Sequence, residues 1–164
     1  MYWFIHSGLI QMLKVNMSSD KNKIAIIGLG YVGLPLAIEF GKKIETIGYD
    51  INSERVSELK SFIDKTLEVT SENIKASSNL SFSNNPIDIN ESNIYIATVP
   101  TPIDEVKRPN LNPLRLACEV IGKHLNHGNY VIFESTVYPG CTEEFCVPIL
   151  EEVSGLKLNK DFYC

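Results

Sequence analysis

Three glycines, Gly28, Gly30 and Gly33, follow the spacing G-x-G-x-x-G. A short apolar run at residues 23–28 leads into them, and an apolar helical pattern over residues 34–40 follows. In this strand–turn–helix context the first glycine makes a tight turn, the second lets the backbone approach a pyrophosphate, and the third lets the helix pack closely on the strand. The spacing therefore predicts a dinucleotide-binding turn. A plain glycine-rich connection is the alternative.

An acidic residue, Asp50, follows the glycine turn at the end of a second predicted strand. A carboxylate in that position accepts hydrogen bonds from the ribose hydroxyls of adenosine. It would repel a 2′-phosphate by roughly 4 kcal/mol at a separation of about 4 Å and an effective dielectric constant of about 20. We therefore expect NAD rather than NADP, although Arg55 could receive a 2′-phosphate or contact the NAD ribose or pyrophosphate. The alternative for Asp50 is a strand-end turn residue or a helix cap.

Hydroxyl side chains follow two further predicted strands. Residues 93–99 resemble a buried strand that ends at the Pro-Thr-Pro sequence containing Thr101, and residues 130–134 lead to Ser135 and Thr136. Open α/β sheets bind ligands at the carboxyl ends of their strands, so these hydroxyls are candidate ligand contacts. Simple strand termination is the alternative, and it suits the prolines.

These residues must be positioned by strands that alternate with helices. Strands are predicted at residues 23–28, 45–50, 93–99 and 130–134, and helices at 34–41, 53–59, 113–125 and 142–153. Asn52 or Ser53 is the expected cap of the second helix. Between residues 60 and 92 only 79–83 indicates a strand. The alternation implies right-handed βαβ crossovers, and so an α/β fold of the Rossmann type with a doubly wound, mostly parallel sheet and helices on both faces.

The composition is that of an ordinary soluble globular domain. Of 164 residues 44% are hydrophobic and 21% are charged, and the net charge of -5 goes with no clustered basic surface, so nucleic acid is not an expected partner. Residues 1–20 are expected to be a poorly ordered N-terminal extension, with a short packed helix as the alternative. Their apolar stretch is too short to cross a bilayer, so no membrane partner is expected. The domain should then comprise residues 21–164.

The four cysteines, Cys118, Cys141, Cys146 and Cys164, contain no C-x-x-C pair and lack the density of a secreted disulfide scaffold. Free thiols in a reducing cytoplasm are therefore expected. The three histidines form no metal-spaced cluster with these cysteines, so no metal is assigned.

Three stretches together resemble the UDP-glucose/GDP-mannose dehydrogenase family, and within it the branch that acts on UDP-N-acetylhexosamines. They are residues 27–37, 99–102 and 134–140, and the resemblance extends from residue 23 to residue 164. It implies NAD as cofactor and places Ser135 and Thr136 near the reacting centre, where Thr136 would help to position the water or the C6 atom of the sugar. The positions that contact NAD in such enzymes correspond here to Tyr31, Val32, Asp50, Arg55, Thr101 and Thr136.

Enzymes of this family oxidise a sugar 6-alcohol to a carboxylate with two NAD, through an aldehyde and a thioester on a cysteine. Their nucleophile lies well downstream, and none of the four cysteines here matches its position. The resemblance thus implies the NAD-binding N-terminal portion of a UDP-sugar 6-dehydrogenase for surface polysaccharide synthesis, inactive by itself and homodimeric in its full-length form. The alternatives are a stand-alone dinucleotide-binding module and another Rossmann dehydrogenase, such as a 3-hydroxyacid or 6-phosphogluconate type.

Overall fold

The computed structural model describes residues 22–103 and 109–164. A five-stranded sheet, in the order β3-β2-β1-β4-β5, forms its centre, and every neighbouring pair of strands in it is parallel. The strands are β1 (Lys23–Ile27), β2 (Glu45–Tyr49), β3 (Leu80–Ser83), β4 (Ile94–Ala97) and β5 (Tyr130–Phe133). The predicted Rossmann-type sheet is confirmed. The predicted extension at residues 1–20 lies outside the described residues.

The helices in the described residues pack on both faces of the sheet. They are α1 (Gly33–Gly41), α2 (Ser53–Lys60), α3 (Ser71–Ala76), α4 (Asn112–Gly122) and α5 (Val147–Ser154), with a 3-10 turn at Pro86–Ile89 and a π-helical turn at Thr142–Cys146. Asn52 caps α2, because its side chain accepts hydrogen bonds from the N–H groups of Glu54 and Arg55. Within the described ranges, no helix has the length and apolar character that crossing a membrane requires.

The position of β1 in the centre of the sheet explains why its sequence is continuously apolar. Ile24 and Ile26 pack in one core cluster together with apolar residues of α1, whereas Ala25 and Ile27 pack in a second cluster together with α4. Successive side chains of a strand point to opposite faces, so a strand covered on both sides needs apolar residues at every position. The two clusters hold the carboxyl ends of β1 and β4 in fixed positions.

The segment between residues 60 and 92 differs most from the sequence prediction. The predicted strand at 79–83 is present as β3, but α3 and the 3-10 turn at Pro86–Ile89 were not predicted. Helix α3 has six residues and buries only Ile74, so it lacks the periodic apolar stripe by which a helix is identified. Its start depends instead on the Thr70 side chain, which accepts a hydrogen bond from the N–H of Asn73.

Candidate functional site

The glycine-rich turn joins the carboxyl end of β1 to the start of α1. Gly28 has a φ of +98°, which L side chains rarely adopt, and its N–H donates to the carbonyl of Tyr49 in β2 at 2.8 Å. Gly33 lies so close to the turn that an added Cβ would be 1.9 Å from the Gly28 carbonyl oxygen. At Gly30, by contrast, an added Cβ would meet no atom within 4 Å. The turn is therefore tightly packed at its ends and open in its middle.

Tyr31 and Val32 lie in the turn immediately before α1 and expose 67% and 39% of their surface. The first N–H groups of an α-helix have no partner within the helix, so this end of α1 offers donors to a ligand. The geometry is compatible with the predicted approach of a pyrophosphate at Gly30 and with the predicted NAD contacts of Tyr31 and Val32, which stay predictions.

Asp50 directly follows β2 and faces the glycine turn. Its Oδ2 accepts a hydrogen bond from the N–H of Leu29 at 2.8 Å, and its Oδ1 accepts one from the N–H of Asn52 at 2.9 Å. A carboxylate has about four acceptor positions, so both oxygens can accept further hydrogen bonds from ligand hydroxyls. The structure thus brings Asp50 and the turn into contact, and Asp50 is also the turn residue that was considered as the alternative.

Thr98, directly after β4, is a site residue that the sequence analysis did not single out. It is buried, and its hydroxyl lies 2.7 Å from the carbonyl oxygen of Gly28 and 3.1 Å from that of Ile27. The carbonyl oxygen of Ile27 already accepts a hydrogen bond from the backbone N–H of Thr98. The hydroxyl of Thr98 therefore matters most to the carbonyl oxygen of Gly28. The available signal was a hydroxyl at the end of an apolar strand, two residues before a proline.

Arg55, in the first turn of α2, is engaged by other residues of the protein. Its Nε–H donates to the carbonyl of Leu29 at 2.9 Å, Nη1 donates to Glu58 at 2.5 Å and to Asp64 at 2.8 Å, and Nη2 donates to Thr66 at 3.2 Å. Only 10% of its side chain is exposed. The structure places Arg55 beside the predicted turn, where its guanidinium holds the turn backbone.

Asp64 organises the loop at residues 61–69, which was not recognised from the sequence. Its Oδ1 accepts hydrogen bonds from the N–H and the hydroxyl of Thr66, and its Oδ2 accepts the N–H groups of Glu68 and Val69. Burial acts to raise the pKa of Asp64, but these hydrogen bonds and the one from Arg55 outweigh it and hold that pKa at about 2. Asp64 is therefore an anion at neutral pH.

A cavity of about 520 Å³ opens beside the glycine turn, at the carboxyl ends of β1, β2 and β4 and against α4. This volume is in the range of small-molecule sites, about 300–1,000 Å³. Ile51 and Leu116 line it although they are 76% and 51% exposed. Most of the lining is apolar, and Asp50, Thr98, Asn110 and Asn112 are its polar side chains.

The three hydroxyl residues predicted at the strand ends lie together. The Thr101 hydroxyl donates to the carbonyl of Thr136 at 2.6 Å, and the Ser135 hydroxyl donates to the carbonyl of Val99 at 2.6 Å. These two bonds join the segments that follow β4 and β5. Thr136 is exposed, so a ligand can reach it.

The cysteines in the described residues are free, and Cys118, Cys141 and Cys146 are buried in one core cluster. A hydrogen bond to Cys146 and burial raise the pKa of Cys118, whereas that same hydrogen bond lowers the pKa of Cys146. These three thiols are therefore shielded from solvent, whereas Cys164 is exposed. Across residues 22–103 and 109–164, no group of three or more His, Cys, Asp or Glu side chains is arranged to hold a metal ion.

Comparison with known proteins gives a consistent match. The model of the UDP-glucose/GDP-mannose dehydrogenase family, NAD binding domain, matches residues 22–164. UDP-N-acetyl-D-glucosamine 6-dehydrogenase of Pseudomonas aeruginosa is 58% identical over 141 residues, which are 86% of this chain and 33% of that protein. The enzyme of the same name from Salmonella typhi is 55% identical over 144 residues, which are 88% of this chain and 34% of that protein.

A solved structure has the same fold. UDP-D-ManNAc dehydrogenase from Pyrococcus horikoshii superimposes with a TM-score of 0.80 at 34% sequence identity, over 85% of this chain and 34% of that one. The chain thus spans about a third of the length of the relatives it matches.

Proposed function

The chain belongs to the UDP-glucose/GDP-mannose dehydrogenase family, whose NAD-binding domain it contains, and from this premise we propose that NAD binds in the cavity beside the glycine turn. The observation that carries the proposal is the contact between the turn and Asp50, directly at the mouth of an apolar cavity. Family membership also decides against the alternative of another Rossmann dehydrogenase class.

The adenosine half of the cofactor fits the side of the cavity near β2. Asp50 would accept the ribose hydroxyls with the acceptor positions that its bonds to Leu29 and Asn52 leave free. Ile51 and Leu116 would cover the adenine ring, and the contact would remove their exposed apolar surface from water.

The pyrophosphate fits the open middle of the turn. No atom lies within 4 Å of the Cβ position at Gly30, so the backbone can be approached closely there. The backbone N–H groups of residues 30–32, at the start of α1, would donate to the phosphate oxygens. Gly28 and Gly33 contribute by shaping the turn.

The reactive half of the cofactor would lie towards β4 and β5. We assign Thr101, Ser135 and Thr136 to this end, as the family resemblance implies, with Thr136 positioning the water or the C6 atom of the sugar. The hydroxyls of Thr101 and Ser135 donate to backbone carbonyls, so each keeps lone pairs with which to accept a hydrogen bond from a ligand. When bound, NAD would act as the acceptor of the hydride.

The substrate of the full-length reaction is proposed to be a UDP-N-acetylhexosamine, whose C6 alcohol is oxidised to a uronic acid for surface polysaccharide. The two relatives reported above bear the name UDP-N-acetyl-D-glucosamine 6-dehydrogenase. The 164 residues here would bind the cofactor, while the nucleophilic cysteine belongs to the part of the longer relatives that this chain does not span. A cytoplasmic homodimer is the proposed full-length form.

Titration of the 164-residue chain with NADH tests the cofactor assignment. Saturable binding of NADH, detected by its fluorescence and by calorimetry, is expected, with much weaker binding of NADPH. Lys42→Met should bind NADH as the wild type does, because Lys42 directly follows α1 and pairs there with the exposed Glu39. Failure of NADH to bind at millimolar concentration would refute the proposal.

A second experiment tests whether this chain can oxidise the nucleotide sugar by itself. Incubation of the chain with NAD and UDP-N-acetylglucosamine should form no NADH, because we assign the sugar-nucleotide contacts as well as the nucleophilic cysteine to the part of the longer relatives that this chain does not span. Measurable formation of NADH would contradict that assignment.

A further inference from the structure

Strand β3 is an edge of the sheet, and no strand of the described residues pairs with its outer side. The carbonyl of Asn79 accepts the N–H of Thr46, and the carbonyl of Ser83 accepts the N–H of Asp50, so alternate residues from 79 to 83 face β2. Phe82 belongs to the other set, and its N–H and carbonyl therefore point away from β2. An unpaired edge of this kind is a template for pairing with another extended chain.

A groove of about 400 Å³ lies beside this edge, between β3, the end of α2 and α3. Its apolar lining includes the buried Leu59 and Ile74, the half-buried Leu80 and Phe82, and Phe62, which is 43% exposed. None of the residues that line this groove lines the cavity assigned to NAD. The groove is therefore a separate site.

The charged residues that line the groove are both cations. Lys60 and Lys75 line it together with three serines, and no Asp or Glu does. Both lysines are exposed, and among the described residues neither has a salt-bridge partner. The ammonium nitrogen of Lys75 lies 5.4 Å from the centre of the Phe62 ring. The groove is thus locally positive on a chain whose net charge is -5.

We propose that the outer edge of β3 and this groove bind an extended, acidic segment of a partner protein by β-strand addition. The backbone of the segment would pair with the N–H and carbonyl of Phe82, and its apolar side chains would enter the groove. Its carboxylates would face Lys60 and Lys75. The inference goes beyond NAD binding and does not depend on it.

The positions of the two lysines decide between an acidic partner and a second copy of this chain. Lys60 and Lys75 lie in the last turns of α2 and α3, where cations complement the helix dipole. Two copies paired edge to edge at β3 would bring these positive charges together, and lysines beside an edge strand oppose such pairing. An acidic segment meets no such repulsion.

Fluorescence anisotropy with a labelled heptapeptide of alternating glutamate and valine, blocked at both ends, tests the inference on the 164-residue chain. At about 0.15 M salt, where exposed charges still interact within about 8 Å, saturable binding is expected. The dissociation constant should be about 100 μM or lower, and the same peptide with lysine in place of glutamate should bind at least about tenfold more weakly.

Methylation of the peptide's amide nitrogens tests strand addition itself. Successive residues of a strand have opposite orientations, so the N–H groups of alternate residues point to the same side. Methyl groups on one alternate set should weaken binding at least about tenfold, whereas methyl groups on the other set should leave it within about twofold. Equal effects of the two sets would overturn the inference, because they would exclude pairing along one edge.

The double variant Lys60→Met, Lys75→Met should bind the acidic peptide about fivefold more weakly, as expected for the loss of two exposed charge interactions. Lys123→Met is the matched control, because Lys123 is exposed at the end of α4 and does not line the groove. It should bind the peptide as the wild type does. Circular dichroism establishes that both variants are folded, and both should bind NADH with wild-type affinity.

Absence of binding, equal binding of the lysine peptide, or displacement of the peptide by NADH would overturn the inference. A dimer in sedimentation experiments that excludes the peptide would assign the edge to a second copy, and would overturn it too. Failure of NADH to bind would instead refute the proposed function, so the two failures are distinguishable.

Discussion

Replacing Gly33 with alanine should damage both the fold and the cofactor site. The new Cβ would lie 1.9 Å from the carbonyl oxygen of Gly28 and 2.4 Å from the hydroxyl of Thr98, whereas real Cβ contacts are essentially never below 3.0 Å. Because the nearest atom is backbone, no side-chain rotation relieves the clash. Helix α1 must move away from β1 by about an ångström, a shift that close-packed interiors resist.

The cost can be estimated from these contacts. Overpacking of a core typically costs about 1–3 kcal/mol, and a clash with backbone belongs at the upper end of that range. The higher helix propensity of alanine offsets at most about 1 kcal/mol. We therefore expect a net loss of about 2 kcal/mol, which corresponds to a fall in melting temperature of roughly 4–8 °C for a domain of this size.

Gly30→Ala is the matched control. Its Cβ meets no protein atom within 4 Å, so the melting temperature should stay within about 2 °C of the wild-type value. The methyl group would nevertheless occupy the space into which the pyrophosphate is proposed to fit. This variant should be stable but should bind NADH at least about tenfold more weakly.

Thermal melting and NADH titration of the two variants form one experiment. Gly33→Ala is expected to lower both the melting temperature and the affinity for NADH. Gly30→Ala is expected to lower the affinity for NADH alone. A Gly33→Ala protein with unchanged melting temperature would show that α1 adapts easily, which would refute the packing argument. Unchanged NADH affinity in Gly30→Ala would remove the middle of the turn from the cofactor site.

Three further predictions concern the side chains around the turn. Asp50→Ala should weaken NADH binding by at least about tenfold in a fluorescence titration, because the variant loses the acceptors for the ribose hydroxyls and the hydrogen bond from the N–H of Leu29. Unchanged affinity would remove Asp50 from the site. Thr98→Val should lower the free energy of unfolding in urea by about 1–2 kcal/mol, since the Gly28 carbonyl loses its buried donor, whereas Thr98→Ser should cost less. Asp64, with its pKa depressed to about 2, should stabilise the fold by about 2 kcal/mol above pH 4. That stability should disappear as the pH falls towards 2, so the urea midpoints of wild type and Asp64→Asn should converge there; a constant difference would contradict it.

The parts of the site that were predictable are those encoded within a few neighbouring residues. The turn after β1 is one example, because its glycine spacing is read within a short window of sequence between a strand and a helix. Asp50 is another, because it ends a strand at a fixed distance from that turn. Such local patterns predicted the position of the proposed site and the fold class that is confirmed here.

The hydrogen bonds that Thr98 and Arg55 donate to the glycine turn could not be predicted, because they join residues that are distant in sequence. Thr98 reaches Gly28 across 70 residues of sequence, and Arg55 reaches Leu29 across 26. The hydroxyl of Thr98 is useful only because β4 is paired directly with β1, which is a property of the sheet order. The bond between Arg55 and Asp64 could not be predicted either, because Asp64 lies in a loop without a periodic pattern.

The sheet order also explains how one edge can serve both ends of a dinucleotide. Asp50 follows β2 and Ser135 lies just beyond β5, and the order β2-β1-β4-β5 places three strand spacings between them. At about 4.8 Å per spacing, these residues are about 14 Å apart along the edge. The hydroxyls after β5 are therefore too far away to contact the adenosine that Asp50 would hold. They lie on the side of the edge to which we assign the reactive half of the cofactor. The glycine turn after β1 lies between the two, at the point where the chain switches from the β2 side of the sheet to the β4 side.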